Sequence, residues 1–377
     1  MKTKRREHRR KHPAHRLVLG VCLAPMLAAA QPQTMRQYQF QPRADGKAYM
    51  LALEQVPVPE PGRHDVLVRV HATSLNGGYD LVMLNAPPDR RPELAGGIPL
   101  ADGAGEVVGV GDDVTRFAVG DRVVGAFMPA WIDGDHTREA FGSSRGGNAG
   151  GMLSEYIVSD EQGLVAIPEL LSYEEAATLP TAGVVAWVGL FKDRPLKAGE
   201  YVLLEGTGGV STFGLLFSAA AGAKPIMTSS SDAKLEQAAA LGAVGTVNYR
   251  KNPDWQEQVR SLTNGAGVKH VLEVGGKATL PRALETLALD AHVALIGELS
   301  GFAEDLPLGP IFGNVAHLSA LYVGSRADFE AMNAFIGEHE IHPVIDRVFD
   351  FDDAPAAFDF MANGDYMGKI VIRLDGL

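Results

Sequence analysis

Residues Tyr201–Asp232, YVLLEGTGGVSTFGLLFSAAAGAKPIMTSSSD, read as a strand, a tight glycine turn, a helix and a second strand. Tyr201–Glu205 is a short apolar run rich enough in branched residues for a buried parallel strand. Gly206, Thr207, Gly208 and Gly209 then turn the chain so that its backbone can approach a bulky anion. From Val210 onward Phe213, Leu216, Phe217 and Ala220 recur at helical spacing, and Gly222 is a stop signal. A helix that starts at such a turn points unpaired N–H groups and a positive dipole end at its ligand, which suits a pyrophosphate. Ser211 stands where the third glycine of a GxGxxG dinucleotide fingerprint would be. A glycine turn alone is a weak signal, but this one lies between a strand and a helix and is followed by further strand–helix alternation. A serine hydrolase elbow is excluded, because Gly-x-Ser-x-Gly would need glycine at Phe213.

Outward from this unit the chain divides into two materials. Met35–Val158 is strand-rich, with runs at Met35–Phe40, Leu51–Gln55, Val66–Ala72, Gly105–Val110, Arg122–Val124 and Leu153–Val158 separated by turn residues. The density of glycines from Gly103 to Gly125 fits a small, folded-over barrel. Asn76–Asp80 leads into a short helix at Leu81–Leu84, and Trp131–Gly151 is a glycine-rich insertion, long enough to be a lid or a solvated loop. Ser172–Glu175 is a capping box. Beyond it, helices at Lys234–Leu241, Pro253–Leu262 and Ala278–Leu287 alternate with strands at Gly245–Tyr249, His270–Val274, His292–Gly297 and Leu318–Val323. A helix at Asp328–Glu338 and a closing strand at Lys369–Leu374 follow, the strand free to return to the first domain. The expected fold class is α/β: a β-barrel domain plus a doubly wound six-stranded parallel sheet.

Composition narrows the function. A chain of 377 residues can build two domains, and a net charge of −12 argues against nucleic-acid partners. The single cysteine, Cys22, excludes intramolecular disulfides and Cys-rich zinc sites. Residues 1–30 differ from the rest: Met1–Arg16 is basic, and Leu17–Ala30 is apolar and ends in small residues. This is a signal-like leader, or else an upstream extension of a chain that starts at Met35. It is too short for stable membrane insertion. A genuine leader implies a periplasmic or secreted protein, whereas dependence on a dinucleotide pool favours the cytoplasm.

The order of parts resembles the medium-chain dehydrogenase/reductase superfamily over Met35–Leu377. The motifs that carry the likeness are VPVPEPGRHDVLVRV, ADGAGEVVGVG with VGDRVV, LPTAGVVAW, VLLEGTGGVS and the closing GKIVI. The zinc-free branch, with its NADPH:quinone oxidoreductases and alcohol-dehydrogenase-like proteins, is the most similar. The resemblance implies a GroES-like catalytic domain at residues 35–168 and 325–377, a Rossmann domain at 169–324, and a homodimer or tetramer. Zinc members carry a cysteine and a Gly-His-Glu where this chain has Ser74 and Leu100-Ala101-Asp102, and the four-cysteine lobe is absent. No zinc is therefore expected. His339-Glu340-Ile341-His342 is one residue short of HExxH and reads as a surface turn.

An acid normally ends the second strand of an NAD site, but here Ser229 and Ser230 stand there, with Lys234 and Tyr249 beyond. In the quinone-reductase relatives a serine, a lysine and a tyrosine at matching places hold the 2′-phosphate, which favours NADPH over NADH. The cofactor set is thus Thr181, Gly206, Thr207, Gly208, Gly209, Val210, Ser229, Ser230, Lys234, Tyr249 and Gly297, with Thr181 near the nicotinamide in relatives. Asn76 matches the family asparagine after the cleft strand, and Tyr79 is the nearest hydroxyl, so these two are the catalytic candidates. The implied reaction is NADPH-dependent reduction of a small electrophile, an enone, quinone or carbonyl. The alternatives are zinc-free dehydrogenation of a small alcohol or aldehyde, and non-enzymatic nucleotide binding.

Overall fold

The structure is a computed structural model that describes residues 32–303 and 305–374. The leader read at residues 1–30 lies outside them. β1 (Thr34–Pro42) and β2 (Tyr49–Pro57) form an antiparallel pair. β3 (Asp65–Leu75) is followed by α1 (Gly77–Leu84), β4 (Asp102–Val110), β5 (Arg122–Gly125), α2 (Arg138–Gly142), β6 (Tyr156–Asp160) and β7 (Leu164–Ala166). α3 (Tyr173–Ala176), opened by the Ser172/Glu175 capping box, packs on β3 and β4. α4 (Val184–Phe191) then leads away from the barrel.

The second half alternates as its periodicity predicts. β8 (Tyr201–Leu204), α5 (Gly209–Ala220), β9 (Lys224–Ser229), α6 (Asp232–Ala240), β10 (Gly245–Asn248), α7 (Trp255–Leu262) and β11 (Val268–Glu273) follow in turn. α8 (Leu280–Glu285), β12 (Leu287–Leu295), α9 (Leu308–Gly313) and β13 (His317–Ala320) complete the alternation. The sheet is parallel with order β10-β9-β8-β11-β12-β13. The order reverses between β8 and β11, and ligands of open α/β sheets bind outside the carboxyl ends of the strands at that point.

The chain then returns. α10 (Arg326–His339) packs on α4, where Phe335 meets Trp187, Phe191 and Phe217 in one aromatic cluster. β14 (Ile345–Asp350), α11 (Ala354–Asn363) and β15 (Lys369–Arg373) close the barrel sheet, whose order is β14-β15-β3-β4-β5-β7, with β6 on β3. The helix expected at Ala278–Leu287 is shorter, because Leu287 already starts β12 beside Val268. His339 ends α10 and Glu340 is left-handed (φ 50°), so His339 and His342 share no helical face. Among the described residues no helix is long and apolar enough to cross a membrane.

α5 lies tight on the sheet. A Cβ on Gly214 would stand 2.7 Å from Leu272 and 2.8 Å from Leu204. The close helix–strand contact that a third fingerprint glycine normally allows thus falls to Gly214, while Ser211 donates to Glu205 O at 2.6 Å. Gly214→Val would overpack this contact, at a cost of about 1–3 kcal/mol. Urea unfolding should show that loss; stability within about 0.5 kcal/mol of wild type, the usual range of a neutral surface change, would refute the tight-packing account.

Candidate active site

Three neighbouring strand ends make the centre of the site. Ser74 on β3 faces Asp102 on β4, and Ile370 of β15 faces Leu75. That register brings Ser74, Asn76, Asp102 and Lys369 together at the mouth of the barrel. Asp102 is 0% and Lys369 2% exposed. Asp102 Oδ1 accepts from the Thr181 hydroxyl at 2.6 Å, and Oδ2 from Asn76 Nδ2 at 3.0 Å. The Ser74 hydroxyl and Lys369 Nζ each lie 3.4 Å from Oδ2. Lys369 Nζ also donates to Leu75 O at 2.7 Å and Asn76 Oδ1 at 2.6 Å. Burial pulls the Lys369 ammonium below the usual lysine range, with Asp102 and Asp80 opposing the shift.

Asp80 is a member that the sequence reading did not single out. Its Oδ2 accepts the Asn76 N–H at 2.6 Å, closing the turn into α1. Burial pushes its carboxyl up to about 8, opposed by the Asn76 hydrogen bond and reinforced by Asp102.

The glycine turn abuts this cluster. Gly206 is left-handed (φ 71°), and a Cβ at Gly206 or Gly208 would meet nothing within 4 Å. No side chain caps α5, so its first N–H groups stay open to an anion. These features fit a dinucleotide pyrophosphate. Gly368 N donates to Thr207 O at 2.9 Å, and a Cβ on Gly209 would stand 2.7 Å from Lys369 Cδ. Val210, in the first turn of α5, packs against the main core. The returning strand therefore touches the turn directly.

The other sequence-named residues lie on several elements. Thr181 sits in a π-helical turn, Leu179–Gly183, a local widening common at functional sites. Ser229 ends β9 and its carbonyl accepts from Tyr249 N at 3.1 Å, so these two and Ser230 meet at one edge. Lys234, on α6, pairs with the exposed Asp365 at 3.2 Å. Gly297 follows β12 and lies against Val274, where a Cβ would be 2.7 Å from Val274 O.

At the switch point the structure adds two neighbouring buried carboxyls, Glu205 and Glu273. Glu273 Oε1 accepts from Gly275 N and Gly276 N, both at 2.8 Å, and from Thr279 at 2.6 Å. Burial and the neighbouring Glu273 raise Glu205 well above the carboxylate range, so the pair keeps a proton.

Tyr79 donates to Arg145 O at 3.1 Å and packs edge-on against Phe127. Burial raises its pKa, which leaves its proton committed. The insertion after Trp131 is docked: Trp131 is buried, and Arg326 N and Ala327 N donate to Trp131 O and Ile132 O. Its Phe141 reaches Tyr322 at a ring separation of 4.6 Å.

Comparison with known proteins follows this geometry. Residues 62–169 match the alcohol dehydrogenase GroES-like domain, and residues 209–338 match the zinc-binding dehydrogenase family. The chain is 41% identical over 331 residues to a zinc-type alcohol dehydrogenase-like protein of Schizosaccharomyces pombe, covering 85% of this chain and 94% of that one. It is 34% identical over 345 residues to the zinc-type alcohol dehydrogenase-like protein YogA of Leptosphaeria maculans, covering 86% and 95%. A crystal structure from Sinorhizobium meliloti 1021, described as an alcohol dehydrogenase, superposes with a TM-score of 0.83 at 37% identity, covering 92% and 100%. The chain belongs to the zinc-type alcohol dehydrogenase-like family of the medium-chain dehydrogenase/reductase superfamily, and is an NAD(P)-dependent oxidoreductase.

Asp80 makes the stability of this site pH-dependent. In the unfolded chain its carboxyl ionises near 3.8, and in the fold near about 8. The folded state therefore binds the extra proton between these values, and its contribution, complete at low pH, is lost as pH rises through them. Asp80→Asn keeps an acceptor for Asn76 N without that titration. From about pH 5 to about pH 8 wild type should lose roughly 2–4 kcal/mol more stability than the variant. Parallel pH profiles of denaturant unfolding would reject the assignment.

Proposed function

We propose that this protein is an NADPH-dependent reductase of conjugated carbonyl compounds, enones or quinones, that works without zinc. The observation supporting this reading is the Lys369 ammonium held against Asp102 and Asn76 at the barrel mouth. Zinc takes Cys, His or carboxylate ligands from at least three side chains. Here the donors are a serine hydroxyl and one carboxylate, and the carboxylate already receives Thr181, Asn76 and Lys369. This donor set does not fit a zinc ion.

A bound nicotinamide dinucleotide supplies the hydride. We assign its pyrophosphate to Gly206–Gly209 with Val210, its 2′-phosphate to Ser229, Ser230, Lys234 and Tyr249, and its nicotinamide end to Thr181 and Gly297. On the acceptor, negative charge gathers on oxygen. Asn76 Nδ2 carries a second N–H beyond the one given to Asp102, and can donate it to that oxygen. Lys369 fixes Asn76 through Oδ1 and adds a buried positive charge. Tyr79, its hydroxyl held by Arg145, walls the cleft with Phe127 and positions the acceptor. A conjugated acceptor spreads the incoming charge and asks less of one neutral donor than an alkoxide does. The alternative, zinc-free oxidation of a small alcohol or aldehyde, is favoured by the alcohol dehydrogenase descriptions of the relatives.

Two measurements test this. A charge-assisted hydrogen bond contributes about 1.5–3 kcal/mol, so Lys234→Ala should weaken NADPH roughly tenfold or more and spare NADH. Equal losses for both cofactors remove Lys234 from the phosphate site; Ser229→Asp should invert the preference. Purified enzyme should oxidise NADPH faster with enones and quinones than with matched aliphatic ketones, at a rate that chelators leave unchanged. Fast turnover of a simple secondary alcohol, abolished by a chelator, would overturn the metal-free reading.

A further inference from the structure

Arg145 is a buried guanidinium with no acid beside it. It is 5% exposed, donates from Nε to Ala126 O at 3.1 Å, and from one terminal nitrogen to Ser159 Oγ at 2.6 Å. Both partners are neutral, and no carboxylate among the described residues pairs with it. Taking a cation out of water is costly unless an opposite charge accompanies it. Burial alone pulls its pKa down to about 10.

The same residue lines a cavity of about 760 Å³ where β1, β2, β6 and the docked insertion meet. Met35, Val56, Pro57, Ile98 and Ile157 give this cavity an apolar lining. Its other acidic residues, Glu139 and Asp160, are exposed, and Asp160 Oδ1 is engaged by Gln162 N at 2.7 Å. One planar cation with hydrocarbon walls matches a carboxylate with an apolar tail. The guanidinium fork fits a carboxylate through paired N–H bonds.

We propose that this cavity binds a small aliphatic carboxylate whose head group pairs with Arg145. The site is separate from the dinucleotide turn and from Asp102, yet it is linked to the cleft. The carbonyl of Arg145 accepts from the Tyr79 hydroxyl. A carboxylate that draws on Arg145 therefore acts on Tyr79, a wall of the acceptor pocket under the function proposed above, through that residue's own carbonyl. Occupancy therefore alters the KM of the acceptor more than kcat.

Calorimetric titration of the full-length enzyme with octanoate, in the presence of saturating NADPH and acceptor, tests this directly. Octanoate should bind at one site without competing with the acceptor, and inorganic phosphate should not bind there. Arg145→Gln should weaken octanoate at least tenfold. Arg145→Lys keeps the charge without the fork and should weaken it several-fold, which preserves the test if the glutamine variant fails to fold. Absent octanoate binding, binding that the acceptor displaces, equal affinity in the lysine variant, or equal binding of phosphate would each overturn the proposal.

Discussion

The buried Lys369–Asp102 pair is the constraint on which the rest of the site depends. Each charge costs several kcal/mol to dehydrate, and removing one partner of such a pair typically costs about 3–5 kcal/mol. The pair persists because every remaining valence is used: Thr181 and Asn76 complete the carboxylate, while Leu75 O and Asn76 Oδ1 complete the ammonium. These contacts come from β3, β4, β15 and the π-helical turn, so a single polar centre fixes four segments distant in sequence. Lys369 also packs its stem on Gly209, which sets the cofactor turn against the same centre.

Around this charge the molecule keeps acids neutral rather than pairing them. Asp80 and Glu205 are buried with no cation hydrogen-bonded to them among the described residues, and burial raises both carboxyls above their ordinary range. The cost is offset by backbone donors: Asn76 N for Asp80, and the Gly275 and Gly276 amides for Glu273. The consequence is geometric. Glu273 holds the loop that follows β11 by accepting from the Gly275 and Gly276 amides and the Thr279 hydroxyl. Two ionised carboxylates there would oppose the anion that the helix N-terminus attracts.

Much of the architecture was legible because it is written in local periodicity. The strand–turn–helix unit at Tyr201–Asp232, the six-strand alternation and the capping box at Ser172 are all signals within a few residues of one another. The returning Lys369–Arg373 strand was legible from its apolar run, though not its register. What stayed hidden depends on contacts across long separations. Asp102 and Lys369 lie 267 residues apart, and only the β3–β4 and β15–β3 registers bring them together. Asp80 read only as part of the loop that leads into the short helix, and its burial is a tertiary property that local pattern does not mark. The role of Gly214 was hidden in the same way, because a helix–sheet distance leaves no mark in a single sequence.

The return of the chain end explains how so short a strand reaches the polar centre. β15 pairs with β14 and β3, and at its first residues Gly368 bridges to Gly208. The glycine turn therefore meets the strand that carries Lys369. Lys369 in turn sets Asn76, and Asn76 N is tied to Asp80 at the opening of α1, the helix that bears Tyr79. The glycine turn and the Asn76 amide thus belong to one connected set of hydrogen bonds. The Asn76 amide is held from both ends by Asp102 and Lys369, and the strand that carries this lysine is the one the glycine turn meets.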